Sequence, residues 1–245
     1  MVSTDARGSR AVTEKAPAAK LRIAGHRGPS TIDSLRIPTD MIGASDPEAP
    51  GKAASILRSG GVIVYPTETL YGIGALVSND KSVERVFEIK VRPLASPIPV
   101  LGKDRAMLEE VAEFNAAARL LAEKFWPGPL TLVLKDKGRL PRLITAGTGK
   151  VAVRVSAHPF VARLFDLLEG PLTSTSANPS GSDNLLDFIN IYRAFNGHVE
   201  LIIDSGNIPT SKGSTVVDVT TTPPEILRQG DLAISKLKEC FDADR

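Results

Sequence analysis

Cysteine is nearly missing from this chain: Cys240 is the only one in 245 residues. That excludes an internal disulfide framework and any zinc site built on several cysteines. No apolar run approaches the roughly 18 residues of a membrane-spanning helix. A basic segment leading into an apolar stretch is also missing, so no secretory leader is expected. Aromatic residues make up only 5%, too few for a surface built to stack on bases. There is no G-x-x-x-x-G-K-[ST], no G-x-G-x-x-G after a strand, no H-E-x-x-H and no G-x-S-x-G. A nucleotide, if bound, is held without a standard phosphate loop. The three histidines, His26, His158 and His198, are scattered and support no triad or metal cluster.

What is present is an ordinary globular composition, 42% hydrophobic and 24% charged. The length suits one large domain or two small ones. The net charge of +2 is unevenly placed. Residues 1–40 carry +3 and the remainder −1, so the body is not a uniformly basic nucleic-acid binder. Residues 1–45 lack a sustained apolar period and read as an N-terminal arm with the composition of a flexible tail. Its Arg and Ser content faintly resembles a transit peptide, against which Asp5 and Glu14 count. The cytoplasm is the expected location, with an organelle as the alternative through that arm.

From residue 46 to 236 apolar segments alternate between helical and strand periods. Helices are expected over 53–58, from Asn79 or Asp80 to Lys90, over 108–125 with a break near Asn115, over 160–168 and over 185–195. Strands are expected over 62–65, 98–101, 130–135, 151–156, 171–177, 201–204, 214–219 and 225–229. Val151, Val153 and Val155 share one face of their strand; Ala152, Arg154 and Ser156 share the other. Hairpin-length and helix-length connections both occur, so the expected fold is a single α/β domain of α+β type with a mixed sheet flanked by helices. Residues 237–245 read as a tail.

Several polar groupings admit two readings each. Thr67, Glu68 and Thr69 end a buried strand, either as a self-satisfied turn or as the lining of a ligand crevice. Lys90 and Arg92 close a helix, where cations complement the dipole or clamp an anion. Arg154 is either a polar outer-face residue or a fork for a carboxylate. Ser174, Ser176 and Asn178 form a hydroxyl-rich strand end or a site for close approach of a ligand. Trp126-Pro127-Gly128-Pro129 reads as a structural turn between helix and strand.

Taken in order, PTETLYGIG, KVRP, FWPGPLTLVL, VAVRVSAHP, TSTSANPSG, GSTVVD and ILRQG resemble the YrdC-like family of threonylcarbamoyl-AMP synthases over residues 48–234. The resemblance implies a twisted mixed sheet with a large, positively lined concave cavity. It implies an enzyme that converts L-threonine, bicarbonate or CO2, and ATP to threonylcarbamoyl-AMP and pyrophosphate. Mg2+ would accompany ATP, with no evident protein-held metal site. A tRNA threonylcarbamoyl transferase complex would use the product, with tRNA contact an open expectation and no membrane partner. Lys90, Arg92, Ser176 and Asn178 match the family's Lys-Arg-Ser-Asn tetrad. Thr69, Arg154, Ser174 and Ser214 fall where the family holds L-threonine. Arg92, Ser96, Lys150, Ser176, Asn184 and Arg228 fall where it holds ATP.

The chain departs from the family pattern at several positions. Val91 stands where Gly is usual, Leu101 replaces a His found in some members, and Ser156 replaces a common Pro. Ser96, Lys150 and Asn184 replace the usual Asn, Thr and Ser. The chain stops soon after Arg228, which suggests a short form without the second domain of longer members. Two other readings compete: a non-catalytic RNA-binding module, and a carbamoyl-AMP-forming relative.

Overall fold

The structure is a computed structural model that describes residues 36–178 and 184–242. Most of the expected N-terminal arm therefore lies outside the described residues. The described strands are β1 (Asp40–Gly43), β2 (Ile63–Tyr65), β3 (Gly72–Gly74), β4 (Val100–Leu101), β5 (Ala112–Glu113), β6 (Leu130–Asp136), β7 (Lys150–Arg154), β8 (Leu172–Thr173), β9 (Thr175–Ser176), β10 (Leu201–Asp204), β11 (Thr215–Asp218) and β12 (Glu225–Arg228). The helices are α1 (Ala49–Arg58), α2 (Asp80–Lys90), α3 (Arg105–Glu109), α4 (Ala116–Phe125), α5 (Arg142–Thr145), α6 (Pro159–Phe165), α7 (Phe188–Phe195) and α8 (Ile234–Asp242).

Local chemistry explains the helix ends. Asn79 caps α2, its Oδ1 accepting from Ser82 N at 3.1 Å. Ser82, Val83, Val86, Phe87 and Lys90 form the buried stripe of that helix. Asn115 caps α4 in the same way, at 2.8 Å from Ala118 N, but the expected helix over 108–125 is only partly present, because α3 ends at Glu109 and Ala112–Glu113 pairs with β6 as β5. α1 begins four residues earlier than expected, because Pro50 fits a first helical turn, where its missing N–H costs nothing.

The strands form two sheets rather than one. Five run in the order β1-β10-β2-β3-β9; seven form the other, in the order β12-β11-β6-β7-β4-β8 with β5 on β6. Parallel and antiparallel pairs occur in both. The segment 171–177, expected as one strand, is split at Ser174. β8 pairs with β4 in the larger sheet and β9 with β3 in the smaller. The Ser174 N–H turns aside to donate to Pro99 O at 2.7 Å. The chain therefore changes sheet at that residue.

Both expected domain limits move. Residues 40–43 pair with 201–204 as an edge strand, so the fold begins before residue 46. Residues 237–242 belong to α8, which buries Leu237 and Cys240 one turn apart. No described helix is long and apolar enough to cross a membrane.

Candidate active site

Strand alternation in the larger sheet builds the floor of a cavity. Leu130, Leu132, Leu134, Val151, Val153 and Val217 point to the core and are buried. The opposite face carries Arg228, Val216 and Thr131, which are direct neighbours across β12, β11 and β6. Ala152 and Arg154 continue that face on β7. The turn after β2 contributes Thr67, Thr69, Leu70 and Tyr71 as one wall. Arg92, Ser174, Ser176, Asn184, Lys212 and Ser214 are among the other residues that line a cavity of about 220 Å³.

Arg154 is the most constrained cation in it, only 6% exposed. Its Nη1 donates to Thr69 Oγ1 at 2.9 Å. Its Nη2 lies 2.7 Å from Glu68 Oε1, an ion pair without hydrogen-bond alignment. Its Nε has no acceptor among the described residues. Glu68 is itself held by Ser156 Oγ at 2.5 Å and Ala157 N at 3.1 Å. Thr67 Oγ1 lies 3.0 Å from Thr69 Oγ1, so the wall is one connected polar network. A buried guanidinium with donors left over is suited to an anion entering the cavity.

On the floor, Ser214 Oγ lies 2.7 Å from Thr131 Oγ1. Arg228 donates to Ser214 O through Nη2 at 2.9 Å and Nε at 3.3 Å. Burial, and then Arg154, push the Arg228 pKa below the usual guanidinium value. Arg92 is folded onto its own loop, donating from Nε to Ser96 O at 3.2 Å and from Nη2 to Pro97 O at 2.7 Å.

Eight of the twelve residues that the family resemblance assigns to the site line this cavity: Thr69, Arg92, Arg154, Ser174, Ser176, Asn184, Ser214 and Arg228. Four do not. Lys90, 2% exposed, lies beneath it and donates from Nζ to Ser176 O, to Asn178 O at 2.9 Å and to Asn178 Oδ1 at 3.3 Å. Asn178 is buried in that same turn, its Oδ1 also accepting from Ser176 Oγ at 2.5 Å. Ser96 meets Arg92 only through its carbonyl. Lys150 Nζ is bound to Asp218 Oδ2 at 2.8 Å, on the same strand face as Ala152 and Arg154 but outside the cavity lining. Burial raises the Asp218 pKa, but bonds from Lys150 and Thr220 outweigh it and hold the carboxyl below its usual range.

Tyr71, Thr131 and Lys212 were not among those twelve, although Tyr71 belongs to the PTETLYGIG segment. Thr131 was legible in principle, because strand parity puts it on the face of Arg154. Lys212 sits in an irregular loop, where no period identifies it. Among the described residues no group of three or more His, Cys, Asp or Glu is placed to hold a metal.

The Sua5/YciO/YrdC family model, described as telomere recombination, matches residues 55–230. The threonylcarbamoyl-AMP synthase of Pyrococcus abyssi (strain GE5 / Orsay) is 40% identical over 188 residues. The match covers 76% of this chain and 55% of that protein, so the chain spans about half the relative's length. The crystal structure of P. abyssi Sua5 complexed with L-threonine superposes with a TM-score of 0.76 at 37% identity, covering 83% of this chain and 60% of that one. E. coli YciO superposes with a TM-score of 0.73 at 27% identity, covering 82% and 98%. Sequence and fold thus agree over the segments that build the cavity, and the chain belongs to the Sua5/YciO/YrdC family.

Proposed function

We propose that this chain is an L-threonylcarbamoyladenylate synthase, joining L-threonine, bicarbonate-derived CO2 and ATP. The observation that carries the reading is Arg154: a buried guanidinium with an unused Nε, in a cavity lined by hydroxyls and further cations. That setting suits an amino-acid carboxylate beside a polyphosphate. A relative of 37% identity and the same fold is described as complexed with L-threonine.

In this reading Arg154 pairs with the threonine carboxylate, and Thr69, Ser174 and Ser214 orient the amino acid. The threonine amine attacks the carbon of CO2 and gives a proton to solvent, forming a carbamate. A carbamate oxygen then attacks the α-phosphorus of ATP; the bond to the bridging oxygen breaks and pyrophosphate leaves. The chain's task is to hold two anions together and to neutralise charge as it develops. Arg92, Ser176, Asn184 and Arg228 serve the nucleotide. Lys90 acts as a positioning residue that fixes the Ser176–Asn178 turn from below. Mg2+ enters as the counter-ion of the ATP substrate. The product would pass to a transferase that modifies tRNA next to the anticodon, in the cytosol.

The test is the reaction itself. Purified protein with MgATP, bicarbonate and L-threonine is expected to yield the adenylate and pyrophosphate by mass spectrometry. Omission of threonine or bicarbonate is expected to abolish both. Salt-sensitive RNA binding without any threonine-dependent product would overturn the reading in favour of an RNA-binding module.

A further inference from the structure

We infer that Lys212 is a further substrate-positioning residue, which takes the β- and γ-phosphates of ATP and then the departing pyrophosphate. The inference rests on the adenylate-forming reading above. Three observations carry it.

First, Lys212 lines the same cavity as Arg154 but is exposed, which places its ammonium at the rim. The carboxylate-binding end is enclosed, so the polyphosphate is the anion that extends toward solvent. Second, Lys212 is uncommitted. Arg92 donates to its own loop, Arg154 is paired with Glu68, Arg228 is bonded to Ser214, and Lys150 is paired with Asp218. The Lys212 ammonium makes no ion pair or hydrogen bond with any described residue. Its three donors are free to meet phosphate oxygens.

Third, the backbone that carries it is clasped. Asp231 Oδ1 accepts from Lys212 N at 2.8 Å and Asp231 Oδ2 from Ser211 Oγ at 2.6 Å. Asp231 N donates to Gly213 O at 2.8 Å, and Ser211 Oγ accepts from Gly213 N at 3.0 Å. Gly213 has a φ of +80°, and a Cβ there would lie 3.7 Å from Arg228 Nη2. The clasp therefore holds Lys212 on the Arg228 side of the rim. A fixed backbone lowers the entropy lost when the side chain meets its ligand.

The experiment titrates MgATP, inorganic pyrophosphate, AMP and L-threonine separately into wild type, Lys212→Met and Lys212→Arg by calorimetry. Lys212→Met is expected to weaken ATP and pyrophosphate by about tenfold, the scale of one charge-assisted contact. AMP and L-threonine affinities are expected to stay as in wild type, and Lys212→Arg to retain most ATP affinity. The ATP difference is expected to shrink as salt is raised, as a rim charge requires. Asp231→Ala, which keeps the lysine but opens the clasp, is expected to reproduce part of the selective loss. Equal ATP and pyrophosphate binding by wild type and Lys212→Met would overturn the inference, as would a loss shared equally by AMP and L-threonine. Because these are binding measurements, they separate from the activity assay. A wild type that binds pyrophosphate through Lys212 yet forms no adenylate would sink the proposed reaction and leave Lys212 standing.

Discussion

Arg154 and Lys90 are both buried cations, and their partners set opposite expectations. Arg154 serves Thr69 and Glu68 at once and keeps Nε in reserve, which a planar fork can do and a point charge cannot. Arg154→Lys is therefore expected to raise the KM for L-threonine by about tenfold or more while ATP affinity changes little. Initial rates over a threonine titration check this. Lys90 has only neutral acceptors, two carbonyls and an amide oxygen. Burial, and then Arg92, push its pKa from 10.5 down to about 8. Between those values the unfolded chain binds more protons than the folded one, so stability rises with pH. Below pH 8 the amine is charged in both states and the cost of burying it is present in full. Wild type is thus expected to gain stability relative to Lys90→Met as pH rises from about 8 to 10.5. Urea melts at several pH values measure it, and a flat difference would show that the ammonium is not destabilised by its site.

At the scale of one element, α2 shows how a helix end aims two cations in different directions. Val91 ends the helix at φ 49° and ψ 42°, a left-handed conformation, and is 69% exposed. That turn sends Lys90 inward and Arg92 toward the cavity. A β-branched residue in this region costs about 1–2 kcal/mol, which glycine avoids. Glycine returns part of that through the greater freedom of the unfolded chain, about 0.5–1 kcal/mol. Val91→Gly is expected to stabilise the fold by about 0.5–1 kcal/mol in thermal or urea melts. Destabilisation would show that the exposed isopropyl group packs in a way this geometry does not reveal. The resemblance noted Val91 as a departure from glycine; the backbone angle supplies the physical reason glycine suits the position.

Across the whole molecule, the crossing from β8 to β9 joins the two sheets beside the cavity. Thr173 is fully buried there. Its Oγ1 donates to Ile73 O at 3.1 Å and accepts from Ala75 N at 3.0 Å, and its carbonyl accepts from Tyr65 Oη at 3.1 Å. Thr173→Val keeps the shape and removes both hydroxyl bonds, leaving the Ala75 N–H without its acceptor, while Ile73 O keeps its ladder partner on β9. The expected loss is about 1–3 kcal/mol, the cost of one buried unsatisfied group. Chemical denaturation checks it, and a negligible loss would mean that the sheets are joined chiefly by apolar packing.

The sequence alone determined what local chemistry governs. Helix caps at Asn79 and Asn115 and the alternation of Val151, Val153 and Val155 against Arg154 are short-range signals, and the structure follows them. The ordered motifs were enough to identify the family segments. Tertiary structure decided what depends on partners distant in sequence. It split 171–177 between two sheets, because β3 and β4 capture its two halves. It drew residues 40–43 into the fold through 201–204, and 237–242 through a helix whose apolar face needs the core. It also sorted cations of equal sequence merit. Lys150 was tied to Asp218 outside the lining, Lys90 went beneath the cavity, and Lys212 came to its rim. Charge and residue type are written in the chain; which carboxylate each cation meets is fixed only when strands far apart in sequence are brought side by side.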